Sequence, residues 1–287
     1  MSIQGSCLCG TLRYEIDGPF SMMMTCHCSM CRKHSGAPFA TFAAAPLDGF
    51  RWISGENEVK HYASSAQGRR SFCPVCGSVG PTLMPEMGLV VVPAGPLEGD
   101  PGIRPQGHLF VGSKAPWHSI SDALPQHEKY PAEWGDMPSV PRAEVTAEPG
   151  KTLGSCLCGE VAYEMNGRPV AMYQCHCTRC RRSRSSAHGA NLFYKLENFR
   201  WTRGEENVVD YKLPEAARFG AAFCAKCGGS TPRVSLDRGI VVVPAGPLDT
   251  DPGMTPMAHI FVDSKATWFE ITDSIPQFEG MPPSPPR

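Results

Sequence analysis

Fourteen cysteines fall in a pattern that is written twice, and this restricts the fold more than any other feature of the 287 residues. Cys7-Leu8-Cys9, Cys26-His27-Cys28-Ser29-Met30-Cys31 and Cys73-Pro74-Val75-Cys76 return as Cys156-Leu157-Cys158, Cys175-His176-Cys177-Thr178-Arg179-Cys180 and Cys224-Ala225-Lys226-Cys227. The first two groups recur 149 residues later and the third 151 later, so a two-residue insertion lies between Tyr211 and Phe223, most simply in a loop. Residues 88–117 and 239–268 share 20 of 30 positions. The chain is a tandem duplication. One unit is expected over residues 1–127 and the other over 151–287. Between them, residues 128–150 hold Pro131, Pro138, Pro141 and Pro149 without an apolar period and read as a linker. The proline-rich end, 281–287, reads as an extended tail.

Met1-Ser2-Ile3-Gln4-Gly5-Ser6 has neither a basic start nor an apolar run, so a cytoplasmic location is expected. A reducing cytosol disfavours disulfides, and seven thiols per unit would leave one unpaired. Metal ligation accounts for them better. Cys7, Cys9, Cys73 and Cys76 form a complete soft tetrahedral set for zinc, as do Cys156, Cys158, Cys224 and Cys227. Gly10, Gly77, Gly159 and Gly228 follow these pairs and suit tight knuckles. Cys26, Cys28 and Cys31 supply three corners of a second site, and Cys175, Cys177 and Cys180 supply three of its copy. Up to four zinc ions are expected, two closed and two open. His27 and His176 are the alternative fourth ligands, although alternation in an extended loop would turn them away. An open fourth position is what distinguishes catalytic from structural zinc.

Basic residues follow each triad: Arg32 and Lys33 in the first unit, Arg181, Arg182 and Arg184 in the second. Arg32, Lys33, Arg181 and Arg182 are candidates to offset the thiolate charge and to hold the carboxylates of an acidic thiol; a solvated basic turn is the plainer reading. His108 and His259 could shuttle protons or serve as hydrogen-bonded structural residues. Lys114 and Lys265 could meet a carboxylate or lie at the surface. Trp52, Trp117, Trp201 and Trp268 read as core anchors. His34-Ser35-Gly36-Ala37 becomes Ser183-Arg184-Ser185-Ser186, which loses a glycine that a ligand's approach could need, so the first unit is favoured if only one is active.

The class is mostly β. Residues 11–16 alternate apolar and polar, and 39–45, 58–62, 89–92 and 108–111 are further strand candidates. One short helix is expected after Cys31. With 28 prolines and 29 glycines, the core is small and each closed site should contribute directly to folding. The formal charge of −1 falls to −7 once four zinc ions and fourteen thiolates are counted, which argues against a general nucleic-acid partner. No window approaches the ~18 apolar residues of a membrane helix. No phosphate-cradling loop or dinucleotide fingerprint is present.

Cys-Leu-Cys-Gly, Cys-His-Cys-x-x-Cys-Arg, Phe72-Cys73-Pro74-x-Cys76-Gly77 and His259-Ile260-Phe261-Val262-Asp263-Ser264-Lys265-Ala266 followed by Trp268 stand in one order. On these motifs the chain resembles the glutathione-dependent formaldehyde-activating enzyme family, twice over and apart from the linker. The resemblance implies two tandem zinc-stabilised β-tent domains, a fold shared with centromere protein V and Rab-regulatory zinc proteins. It also implies a structural zinc at the outer four cysteines and a second zinc at the central three. Carbon–sulfur lyase chemistry on an adduct of glutathione or a similar thiol is then expected. Two rival readings stay open: a non-enzymatic zinc module that binds another protein, and a zinc store or redox sensor using the triad.

Overall fold

A computed structural model of the chain describes residues 2–66, 68–135, 137, 139 and 145–283. Each half carries the same two main sheets and a separate hairpin, Lys60–Ala63 with Arg69–Phe72 in the first and Val208–Lys212 with Gly220–Cys224, flanked by Ser230–Thr231, in the second. In the first, Ser2–Ser6, Arg13–Asp17 and Phe50–Ser54 form a small antiparallel sheet. A larger sheet runs in the order Gln126–His127, His108–Leu109, Met22–Cys26, Ala40–Pro46, Leu89–Pro93 and Thr82–Met84. The second half repeats both, with its six-stranded sheet centred on Ala171–Cys175, Gly189–Lys195 and Ile240–Pro244. The mostly-β class and the two similar halves read from sequence are therefore present. The candidate at 108–111 is shorter than expected, because Phe110 takes a left-handed φ of 58° and Val111–Ser113 turns as a 3-10 helix. The expected helix, α1 (Ser29–Ser35), begins before Cys31 rather than after it and has a copy, α2 (Thr178–Arg184).

Strand register locates the insertion. Tyr62 pairs with Arg70, and Tyr211 pairs with Ala221. The two extra residues thus lie in the hairpin turn between Val208–Lys212 and Gly220–Cys224.

The two halves exchange parts. Trp117 and Ala115 are buried in the second half's core, against Tyr163, Met165, Met172 and Leu192. Trp268 and Ala266 fill the first half's core with Tyr14, Ile16, Met23 and Val90. Trp117 and Trp268 are core anchors as expected, each in the opposite half, whereas Trp52 and Trp201 are only half-buried. The hairpins exchange as well. Tyr62 packs with Cys156, Cys224 and Cys227, and Tyr211 packs with Cys7, Cys73 and Cys76.

Close backbone approach holds the seam. A Cβ on Gly95 would lie 2.4 Å from the amide nitrogen of Ser186, and one on Gly246 would lie 2.4 Å from the Ala37 carbonyl oxygen. Gly36 caps α1 at φ 77°, and a Cβ there would meet Ser230 Oγ at 2.6 Å. It is therefore the other half, not a ligand, that this glycine admits. Its counterpart Ser185 holds φ 52° and donates its hydroxyl to the Val79 carbonyl at 3.3 Å.

The expected linker begins as packed structure. Phe110 donates its amide to the Lys129 carbonyl, Tyr130 packs edge-on against Phe110, and Trp134 packs against Tyr130. Pro138 and Pro141, and residues 284–287 of the expected tail, lie outside the described residues. No helix among the described residues is long and apolar enough to cross a membrane.

Candidate metal centres

Cys7 and Cys9 sit in the turn after the first strand, and Cys73 and Cys76 follow the Arg69–Phe72 strand. The four sulfurs lie within 4.8 Å of one another, with Cys7 to Cys9 at 3.4 Å and Cys9 to Cys73 at 3.6 Å. Four sulfurs around zinc at about 2.3 Å would stand about 3.8 Å apart, so the set fits that ion. The Leu12 amide donates to Cys7 Sγ at 3.2 Å, a contact that suits a thiolate. Gly10 and Gly77 adopt the left-handed φ values, 79° and 72°, that the knuckles require. Cys156, Cys158, Cys224 and Cys227 repeat the arrangement, with sulfur contacts at 3.5 and 3.8 Å and the Val161 amide donating to Cys156 Sγ at 3.3 Å.

The triads are built where a strand hands over to a helix. Cys26 ends Met22–Cys26, Cys28 is the N-cap of α1, and Cys31 lies in the first turn. The Cys31 amide donates to Cys28 Sγ at 3.4 Å, so a thiol does the capping work usually given to an oxygen. Cys175, Cys177 and Cys180 repeat this, with the Cys180 amide on Cys177 Sγ at 3.4 Å. In each triad the sulfurs lie within 4.8 Å of one another, and no His, Asp or Glu among the described residues joins the group. None of the fourteen cysteines forms a disulfide.

His27 and His176, the alternative fourth ligands, are turned away from the sulfurs. His27 Nε2 lies 2.9 Å from His108 Nδ1, and His108 Nε2 lies 3.0 Å from the Asp122 carboxylate. Since the carboxylate accepts, His108 donates from Nε2, and its Nδ1 accepts a hydrogen bond from Nε2–H of His27. His176, His259 and Asp273 form the same chain at 2.8 and 3.0 Å. Burial, then the neighbouring His108, depresses His27 to about 3.

These chains border a cavity of about 600 Å³ between the halves, into which His118 and His188 also project. Ser121 and Thr272, equivalent residues, share a hydrogen bond across it. Phe39 corresponds to His188 and His118 to Phe269, so imidazole and phenyl have exchanged places between the copies.

The four basic candidates occupy the seam. Arg32 donates to the carbonyls of His27 (3.2 Å) and Gly246 (2.9 Å), and Arg181 to those of Ser264 (3.1 Å) and Gly95 (3.1 Å). Lys33 pairs with Asp249 at 2.7 Å and Arg182 with Glu98 at 2.6 Å. All four thus bridge the two halves, with partners other than a ligand's carboxylate. Spacing along the chain cannot show this, because the partners lie far away in sequence. Lys114 and Lys265 likewise donate to backbone carbonyls, those of His118 and Phe269.

Arg70 is the cation that sequence reasoning missed. Its Nη1 donates to Cys31 Sγ at 3.4 Å. One signal was available: Arg70 shares a strand face with buried Phe72, where alternation calls for an inward residue. Met24, Leu109, Phe110, Tyr130 and Trp134 complete the surroundings of this triad.

The sequence profile of the family described as glutathione-dependent formaldehyde-activating enzyme matches residues 2–113 and 151–264. The chain belongs to that family. A curated relative, an uncharacterized lyase of Schizosaccharomyces pombe (strain 972 / ATCC 24843), is 31% identical over 75 residues, covering 26% of this chain and 53% of the relative. The match thus spans about half of that relative's length. A solved structure of a Rhodobacter sphaeroides protein is 27% identical, covers 34% of this chain and 89% of that one, and superposes with a TM-score of 0.28.

Proposed function

We propose that the chain is a zinc-dependent carbon–sulfur lyase-type enzyme acting on the adduct of a thiol, glutathione or one like it, with a small carbonyl such as formaldehyde. Family membership and the lyase-named relative support a glutathione-related, lyase-like function. The observation that carries the finer reading is the incomplete ligand set: three clustered thiols, with no fourth ligating side chain beside them among the described residues. Cys26, Cys28 and Cys31, and likewise Cys175, Cys177 and Cys180, would hold the ion. The outer two sets of four would hold structural zinc. When bound, zinc at a triad supplies charge stabilisation for a thiolate, which eases making or breaking its bond to carbon.

The residues of the chain do the rest. The amides of Cys31 and Cys180 steady the sulfurs of Cys28 and Cys177. The His27–His108–Asp122 chain fixes the loop between Cys26 and Cys28 by bonding its imidazole on the far side. The aromatic cover of Phe110, Tyr130 and Trp134 limits water around the first triad.

The decisive measurement pairs metal content with turnover. Four zinc ions per chain are expected in the unaltered protein. Cys28→Ser should lower the content by one and remove the first triad's share of S-hydroxymethylglutathione turnover, and Cys28→Ser combined with Cys177→Ser should lower the content by two and abolish turnover. Unchanged zinc content and turnover in the double variant would sink the proposal.

A further inference from the structure

The two triads are copies in sequence but not in surroundings. At the first, the Arg70 guanidinium donates to Cys31 Sγ at 3.4 Å. The strand registers Tyr62↔Arg70 and Tyr211↔Ala221 make Ala221 its counterpart, so the second half has a methyl group at that position. Phe219 packs beside Cys175, Cys177 and Cys180 instead. Arg179 stands over the Phe219 ring at 5.9 Å. The buried guanidinium of Arg184 donates to Ser230 Oγ at 3.0 Å and Asn191 Oδ1 at 3.3 Å. No side-chain cation among the described residues donates to a sulfur of the second triad.

A direct contact between cation and sulfur then separates the two sites. A divalent ion held by three thiolates carries a net −1, and a fourth thiolate makes it −2. Burying such a charge without a counter-ion is costly, and the cost grows with the square of the charge. Arg70 brings the first site to zero before the incoming sulfur and to −1 after it. At the second site Phe219 packs against the triad, and the buried Arg184, within electrostatic reach of Cys180, gives its hydrogen bonds to Ser230 and Asn191 rather than to a sulfur, so no cation there is placed to meet an incoming thiolate as Arg70 is.

We propose that Arg70 equips the first triad, and not the second, to accept an anionic sulfur ligand at its fourth position, leaving one thiolate-binding site per chain. The inference rests on the thiol-binding reading given above.

The test uses the full chain loaded with cobalt(II) in place of zinc, and 2-mercaptoethanol as a probe without further charge. The readouts are the sulfur-to-cobalt absorption band and the number of thiols bound per chain. One thiol per chain is expected. Arg70→Gln should weaken its binding about 10-fold or more at unchanged cobalt content, the size of a lost charged hydrogen bond. Arg70→Lys, which returns the charge, should recover most of it. Cys177→Ser, which spares the first triad, should still bind the thiol, while Cys28→Ser should not. Two equivalent thiols per chain, or wild-type binding in Arg70→Gln, would overturn the assignment while leaving thiol binding intact. Failure of the wild-type protein to bind the thiol at all would remove both readings together.

Discussion

Single residues at the seam have little room to change. Gly246 lies against the Arg32 and Ala37 carbonyls, and a Cβ would stand 2.5 and 2.4 Å from their oxygens. Neither oxygen is on a flexible side chain. Gly246→Ala is expected to lower stability by roughly 1–3 kcal/mol or more through forced backbone shifts, measurable by urea unfolding. The central histidines set a pH dependence. Burial, and then His259, depresses His188 to about 3, against an unfolded value of about 6.5. Above pH ~6.5 neither state binds the proton, so this residue contributes no slope. Between about 6.5 and 3 the unfolded chain binds it and the native one does not, so stability falls as pH falls, by up to about 1.4 kcal/mol per pH unit. His188→Phe, the residue already present at position 39, should remove that part of the slope. Unfolding free energies at pH 6, 5 and 4 for both proteins should show the wild-type curve falling more steeply than the variant's; parallel curves would contradict it.

At the scale of elements, the hairpins link each half to the opposite structural metal set. Tyr62 lies on the Lys60–Ala63 strand yet packs with Cys156, Cys224 and Cys227. Tyr62→Ala should therefore speed metal loss from the second half's four-cysteine site rather than from its own. Cadmium-113 NMR of the metal-exchanged protein during chelator challenge resolves the sites, and faster loss at Cys7, Cys9, Cys73 and Cys76 instead would refute the exchange. Much of this level was legible in the sequence. Alternation marked the strands, and the first triad marked the neighbourhood of α1 although the helix was expected only after Cys31, because both patterns are local. Arg70 was not singled out, since its partner Cys31 lies 39 residues away and only the hairpin's docking brings them together.

At the scale of the whole molecule, neither half has a complete core of its own. Trp117 and Trp268 are 4% and 1% exposed, each within the other half's apolar cluster. Trp117→Ala should destabilise the protein by about 3–5 kcal/mol, the range for a buried tryptophan, and should loosen the second half first. Fragments 1–127 and 151–287 expressed separately should show no cooperative unfolding as monomers, folding only as dimers or when mixed. Sedimentation with thermal unfolding would decide it, and a stable folded monomer of either fragment would contradict the exchange. The duplication, the grouping of sulfurs into fours and threes, and the mostly-β class were determined by the sequence itself, because each rests on spacing within a short stretch or on direct self-similarity. Tertiary structure alone decided which half each tryptophan completes, that Arg32 and Arg181 fasten the seam, and that Arg70 meets one triad while Phe219 meets the other. Those outcomes depend on the close approach of backbones far apart in the chain, and no local pattern of residues encodes them.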